Sequence, residues 1–138
     1  MIIKNGFINI DNQLIRKDIL IKDGVILKID DFIEGDEIID AKGGWIIPGA
    51  VDVHVHLREP GYEYKGNMAS ETRAMAKGGF TTVFSMPNLK PVPDSKENMK
   101  VQLDAIEHNA VIKVIPYGAI TKGEKGIELS EMEELSEY

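Results

Sequence analysis

Apolar residues recur at every second position near the N-terminus, at Ile8 and Ile10, at Ile19 and Ile21, and again at Val25, Leu27 and Ile29. A period of two belongs to extended chain with one face turned to a core. Polar breaks separate the runs, first Asp11-Asn12-Gln13 and then Lys22-Asp23-Gly24. Asp-Gly between two such runs predicts a hairpin, because the tight turn needs positive φ, which both residues tolerate. Residues 1–47 are therefore expected to form a small antiparallel sheet module. The same pattern also fits the opening of a single all-β domain.

Beyond Gly43-Gly44, Trp45-Ile46-Ile47 and Pro48-Gly49 the period changes. A strand is expected over Ala50–Leu57, followed by a polar, glycine-containing loop from Pro60 to Gly66. Asn67 is placed to cap a helix through Lys77, with Met68, Thr72, Met75 and Ala76 on one stripe and Gly78 ending it. Phe80 to Met86 is a β-branched and aromatic strand closed by Pro87-Asn88. Asp94 with Glu97 resembles a capping box for a second helix carrying Met99, Leu103 and Ile106. Val111 to Ile115 reads as a third strand, and Ser130 with Glu133 opens a third helix. Strand and helix in alternation from residue 50 onward predict successive βα units on a parallel sheet. Three such units fit the opening of a (β/α)8 barrel, which needs about 250 residues. An open three-layer α/β domain is the structural alternative.

The candidate chemistry lies on the first of these strands. In an extended Ala50–Arg58, Val51, Val53, Val55 and Leu57 share one face, and Asp52, His54, His56 and Arg58 share the other. Two imidazoles at i and i+2 can point at one centre and begin a zinc site of nitrogen and oxygen donors. Arg58, one step further, offers a planar fork to a carboxylate near that metal. A one-sided antiparallel strand alternates in the same way, with its histidines merely solvated. In a barrel, the C-terminal strand ends carry the active site. That rule would bring Asn88, after the second strand, to the same mouth as His54, His56 and Arg58, although a turn residue after proline is the plainer role for it.

Composition narrows the partners. The 138 residues carry 16 basic against 23 acidic side chains, a net charge of −7, with 43% hydrophobic content and no cysteine. This balance argues against nucleic acid or an anionic membrane as partner. Without thiolates, any metal must use histidine or carboxylate. The N-terminus lacks the pattern of a secretory signal, and no apolar run is long enough to span a bilayer. A soluble, cytoplasmic protein is expected. The acidic end, Glu128, Glu131, Glu133, Glu134 and Glu137, reads as a solvated helix face.

The blocks Val53-His54-Val55-His56-Leu57-Arg58-Glu59-Pro60-Gly61, Gly78-Gly79-Phe80-Thr81-Thr82-Val83, Met86-Pro87-Asn88 and Tyr117-Gly118-Ala119-Ile120-Thr121-Lys122-Gly123 together resemble dihydroorotases of the amidohydrolase superfamily. Hydantoinases and allantoinases share the histidine pair but generally not this Arg-Glu-Pro-Gly with Met-Pro-Asn. The resemblance implies a β-sandwich module over residues 1–47, completed by the far end of the family's chain, beside the N-terminal part of a TIM barrel over 48–138. It implies that His54 and His56 are zinc ligands and that Arg58 and Asn88 hold the carboxylate of dihydroorotate. The reaction implied is the reversible hydrolysis of that cyclic amide to N-carbamoyl-aspartate in pyrimidine biosynthesis. The family's further ligands and its general base come from later strands, so no catalytic base is assigned up to Tyr138. The isolated chain is expected to be inactive and to self-associate or pair with the missing C-terminal portion. A non-catalytic dihydroorotase-like assembly partner and a hydantoinase- or allantoinase-like enzyme are the alternatives. His108, at the end of the second helix, is expected to lie far from the metal and to interact with the helix dipole. Lys65 is read as solvated. Leu89 stands where the family usually has threonine, and Gly66-Asn67 where an acidic residue commonly follows the lysine.

Overall fold

Asp11, Asn12, Asp23 and Gly24 adopt positive φ of 50°, 63°, 51° and 75° in a computed structural model that describes residues 1–138. These residues reverse β1 (Ile2–Ile10) into β2 (Gln13–Lys22) and β2 into β3 (Val25–Asp30). The closing pairs are Ile10 with Gln13 and Lys22 with Val25, so both connections are two-residue turns of the kind that matches strand twist.

The sheet is mixed rather than purely antiparallel. β4 (Ile38–Asp40) lies on the outer side of β1 and runs parallel to it, pairing Ile2 with Ile38 and Lys4 with Asp40, in the order β3-β2-β1-β4. The reason is the connection: the chain leaves β3 at one edge and crosses to the other, and such a crossover permits parallel pairing. Asp18 fixes that crossing. Its carboxylate accepts the backbone N–H of Ile33 at 3.1 Å and of Asn5 at 3.3 Å, with the Lys4 ammonium 3.6 Å away. Ile2, Ile8, Ile19 and Ile33 form the buried apolar set of this unit, while β3 and β4 leave Val25, Ile26, Leu27, Ile38 and Ile39 exposed.

The chain divides into two compact units, Met1–Pro48 and Gly49–Tyr138. The second is built on a parallel three-stranded sheet in the order β5 (Ala50–Val55), β6 (Phe80–Ser85), β7 (Lys113–Pro116). Helix α1 (Met68–Lys77) connects the first two strands and α2 (Lys96–Asn109) the next two. Asn67 caps α1, its side-chain oxygen accepting from Ser70 N at 2.9 Å. The α2 cap differs from the expected Asp94 box: Ser95 caps instead, accepting from Asn98 N, and Asp94 binds the Asn98 amide and Gly123 N–H. Val55, Leu57, Met68, Val83 and Val114 make the core between sheet and helices.

Helix α3 (Met132–Leu135) is a single turn without a side-chain cap. Ser130 does not open it. Its backbone N–H is committed to Ile120 O beside the Thr121–Leu129 bridge, and its hydroxyl is buried without a partner. No helix is long and apolar enough to cross a membrane.

Candidate active site

Asp52 pairs with Val83 and Val55 with Ser85, so β5 holds one more residue than β6 between the two pairs. That extra residue is a bulge, and a bulge changes which face each side chain takes. Strict alternation along Val51, Val53, Val55 and Leu57 therefore fails. Val55 and Leu57 are buried in the core, whereas Val51 and Val53 are 56% and 60% exposed. The break falls at Val53-His54, beside the first candidate ligand. The Asp52 carboxylate receives the His54 backbone N–H at 3.0 Å and holds the irregular turn of chain in place. From the side, the Tyr117 hydroxyl donates to Val53 O at 3.3 Å, and its ring lies 5.5 Å from that of Phe84.

Beyond the strands the ladder continues for one step. Met86 N donates to Val55 O and Tyr117 N to Ser85 O, which keeps the segments after β6 and β7 level with the end of β5. Asn88 is thereby brought to His56, whose Nδ1 lies 2.8 Å from the Asn88 Oδ1. An amide oxygen can only accept, so with the Asn88 oxygen facing the ring this contact is a hydrogen bond when Nδ1 carries the proton, the form of neutral imidazole whose Nε2 keeps its lone pair. The His54 and His56 rings meet edge to face with centroids 5.2 Å apart, both exposed.

Each histidine borders its own recess. His54 lines a cleft of about 590 Å³ with Val53, Met86, Pro87, Tyr117 and Thr121. His56 lines a groove of about 380 Å³ with Glu71, Met75 and Phe80. The far wall of the cleft is braced by Asp94. Burial opposes ionisation of its carboxyl, but the Gly123 N–H at 2.7 Å and the Asn98 amide outweigh burial and hold it below the ordinary carboxylate range.

The other candidates sit around this pair. Arg58 is partly buried, its backbone N–H donates to Glu71 Oε2 at 3.3 Å, and its guanidinium is paired with no carboxylate. Glu59, given no role from sequence, is a brace: its two oxygens accept from Met68 N and from the Asn109 amide, each at 2.8 Å. Lys65 is engaged locally, its ammonium 5.5 Å from the centroids of both Tyr62 and Tyr64. His108 Nδ1 lies 2.7 Å from Asp104 O in its own helix and joins neither histidine. The end of α2 is nonetheless not remote from the loop after β5, since Asn109, next to His108, reaches Glu59.

No set of three or more histidine or acidic side chains converges on one point. The donor set is two adjacent imidazoles, one of them in hydrogen-bond contact with Asn88. This fits part of a zinc centre, which takes three protein ligands when catalytic. It does not make a whole one.

The family described as Dihydro-orotase-like matches residues 43–138. The chain belongs to that family. A dihydroorotase of Bacillus cytotoxicus is 49% identical over 137 residues, covering 97% of this chain and 32% of the relative. A dihydroorotase of Fusobacterium nucleatum is 49% identical over 138 residues, with 99% and 32% covered. The chain thus spans about a third of the length of these dihydroorotases. Among solved structures, an L-hydantoinase (dihydropyrimidinase) from Arthrobacter aurescens superposes with a TM-score of 0.80 at 27% identity over 88% of this chain and 28% of its own. A D-hydantoinase superposes with a TM-score of 0.74 at 36% identity, covering 87% and 27%.

Proposed function

We propose that this chain carries the first part of a dihydroorotase site, in which His54 and His56 are two of the zinc ligands and Arg58 and Asn88 bind the substrate's carboxylate. The observation that carries the reading is the histidine pair at the end of β5 with Asn88 hydrogen-bonded to His56, in a chain about half identical to dihydroorotases. Residues 1–47 would then belong to a sandwich module and 48–138 to the opening of a TIM barrel. The hydantoinase superposition supports the latter.

The reaction is addition of water across the cyclic amide C–N bond of dihydroorotate. Hydroxyl goes to the carbonyl carbon and a proton to the ring nitrogen, giving N-carbamoyl-aspartate, and the reverse reaction closes the ring. His54 and His56 would help to hold the zinc, which when bound would supply a water of lowered pKa and polarisation of the scissile carbonyl. The protein's part here is placement. Arg58, with no carboxylate of its own, is free to take the substrate carboxylate in a two-pronged contact, which fixes the ring's orientation. Asn88 presents its NH2 group as a second donor, since its oxygen is occupied by His56. The general base and the remaining ligands are supplied from outside these residues, so the chain alone has little or no turnover and is completed by association with that portion. Its place is pyrimidine biosynthesis in the cytoplasm.

A second reading, a hydantoinase-like cyclic amidase, is favoured by the superposed structures. One experiment separates the two. The corresponding segment of the Bacillus cytotoxicus dihydroorotase is replaced by this chain, and the chimera is assayed on dihydroorotate and on hydantoin. Dihydroorotate hydrolysis that is lost in His54→Ala supports the proposal. A folded chimera that hydrolyses only hydantoin supports the second reading.

A further inference from the structure

Resting on the reading of His56 as a metal ligand, we infer that Asn88 is a positioning residue for that ligand as well as a substrate donor. An unrestrained neutral imidazole can carry its proton on either nitrogen, and only the unprotonated nitrogen can bind a metal. The Asn88 Oδ1, 2.8 Å from His56 Nδ1, can accept a hydrogen bond from an Nδ1–H, and no other group of the chain hydrogen-bonds to this ring. This contact favours the Nδ1–H form and leaves the Nε2 lone pair for a metal. Partners in this position commonly change metal affinity by about 10- to 100-fold.

The placement of Asn88 is itself built. Met86 N is bonded to Val55 O, and Leu89 N to Pro87 O, so the Met86-Pro87-Asn88 segment is held on both sides of the amide. Leu89 is buried and anchors the following step. One amide can thereby serve two groups: its oxygen orients the ligand, and its NH2, which has no hydrogen-bond partner in the chain, is left as a donor for an anion. A substitution that preserves only one of these functions should separate them.

The test is made on the purified metal-free chain at about pH 8, where imidazole is neutral. Long-range ¹H–¹⁵N NMR reports which nitrogen of His56 is protonated, and zinc affinity is measured by titration on the same sample. In the wild-type chain His56 is predicted to be Nδ1–H. Asn88→Ala should shift it toward a tautomer mixture and weaken zinc binding by about tenfold. Asn88→Asp keeps an acceptor and should restore both. His108, bonded within α2, is the internal control for folding. An unchanged His56 tautomer in Asn88→Ala, with the His108 signals intact, overturns the inference. Should the tautomer respond to Asn88 while zinc affinity is unchanged in both Asn88→Ala and His56→Ala, the positioning stands and the metal reading of His56 fails.

Discussion

Asp52 and Val55 stand on the same face of the sheet although they are three residues apart, because Asp52 pairs with Val83 and Val55 with Ser85. A regular strand would put them on opposite faces. The bulge between them turns His54 to the cleft beside Val53 and lets Val55 and Leu57 enter the core. Tyr117 holds the bulge from β7's end through Val53 O. Tyr117→Phe keeps the ring packing on Phe84 and removes only that bond. Its expected effect on stability is small, about 0.5–1.5 kcal/mol, while the His54 NMR signals should shift. Unaltered His54 signals would deny the bulge this support.

Gly61 is placed where no other residue fits. Its φ is +96°, and an added Cβ would meet Lys90 O at 2.2 Å. Here the loop after β5 presses on the segment after β6, which Lys90 N also joins through Pro60 O. Gly61→Ala should therefore destabilise more than Gly24→Ala, whose Cβ would meet nothing and which carries only the strain of positive φ, about 1–2 kcal/mol. Urea unfolding of both variants measures the difference. Equal losses would remove the steric part of the argument.

Glu59 joins two helix ends, α1 through Met68 N and α2 through the Asn109 amide. Glu59→Ala leaves both donors without their partner and should cost about 1–3 kcal/mol. A loss confined to zinc or substrate binding, with the unfolding midpoint unchanged, would show that Glu59 is not a brace.

Asp18 sets an acid limit for the N-terminal unit. Burial opposes its ionisation, but the N–H groups of Ile33 and Asn5 and the Lys4 ammonium outweigh that and lower its pKa. A folded-state pKa below the unfolded one means that its contribution is complete above the ordinary carboxylate pKa and is lost as pH falls through the depressed folded value. Asp18→Asn should be less stable at neutral pH and lose less stability on acidification than the wild type. Parallel curves for the two proteins would contradict this.

Much of this was legible because it depends on local chemistry. Asp-Gly and Asn67 act through their own backbone, and the two turns and the α1 cap form as their residues predict. The Val53-to-Gly61 and Met86-Pro87-Asn88 blocks identified the family for the same reason. Features set by distant partners were not legible. The parallel pairing of β4 depends on a crossing fixed by Asp18. Ser95 displaced Asp94 as the α2 cap because Asp94 is drawn to Gly123, far along the chain. The bulge in β5 depends on the count of residues in β6, and neither strand announces it. Glu59 as a brace was hidden for the same reason, since one of its partners is fifty residues away.

The most direct test of the histidine pair as part of a zinc site is zinc stoichiometry of the purified chain, measured with dihydroorotate hydrolysis in the same sample. The account predicts weak zinc binding, as expected of a partial ligand set, that is lost when both His54 and His56 are replaced by alanine, with little or no turnover in either protein. Zinc retained at the same stoichiometry and affinity by the folded double variant would contradict it.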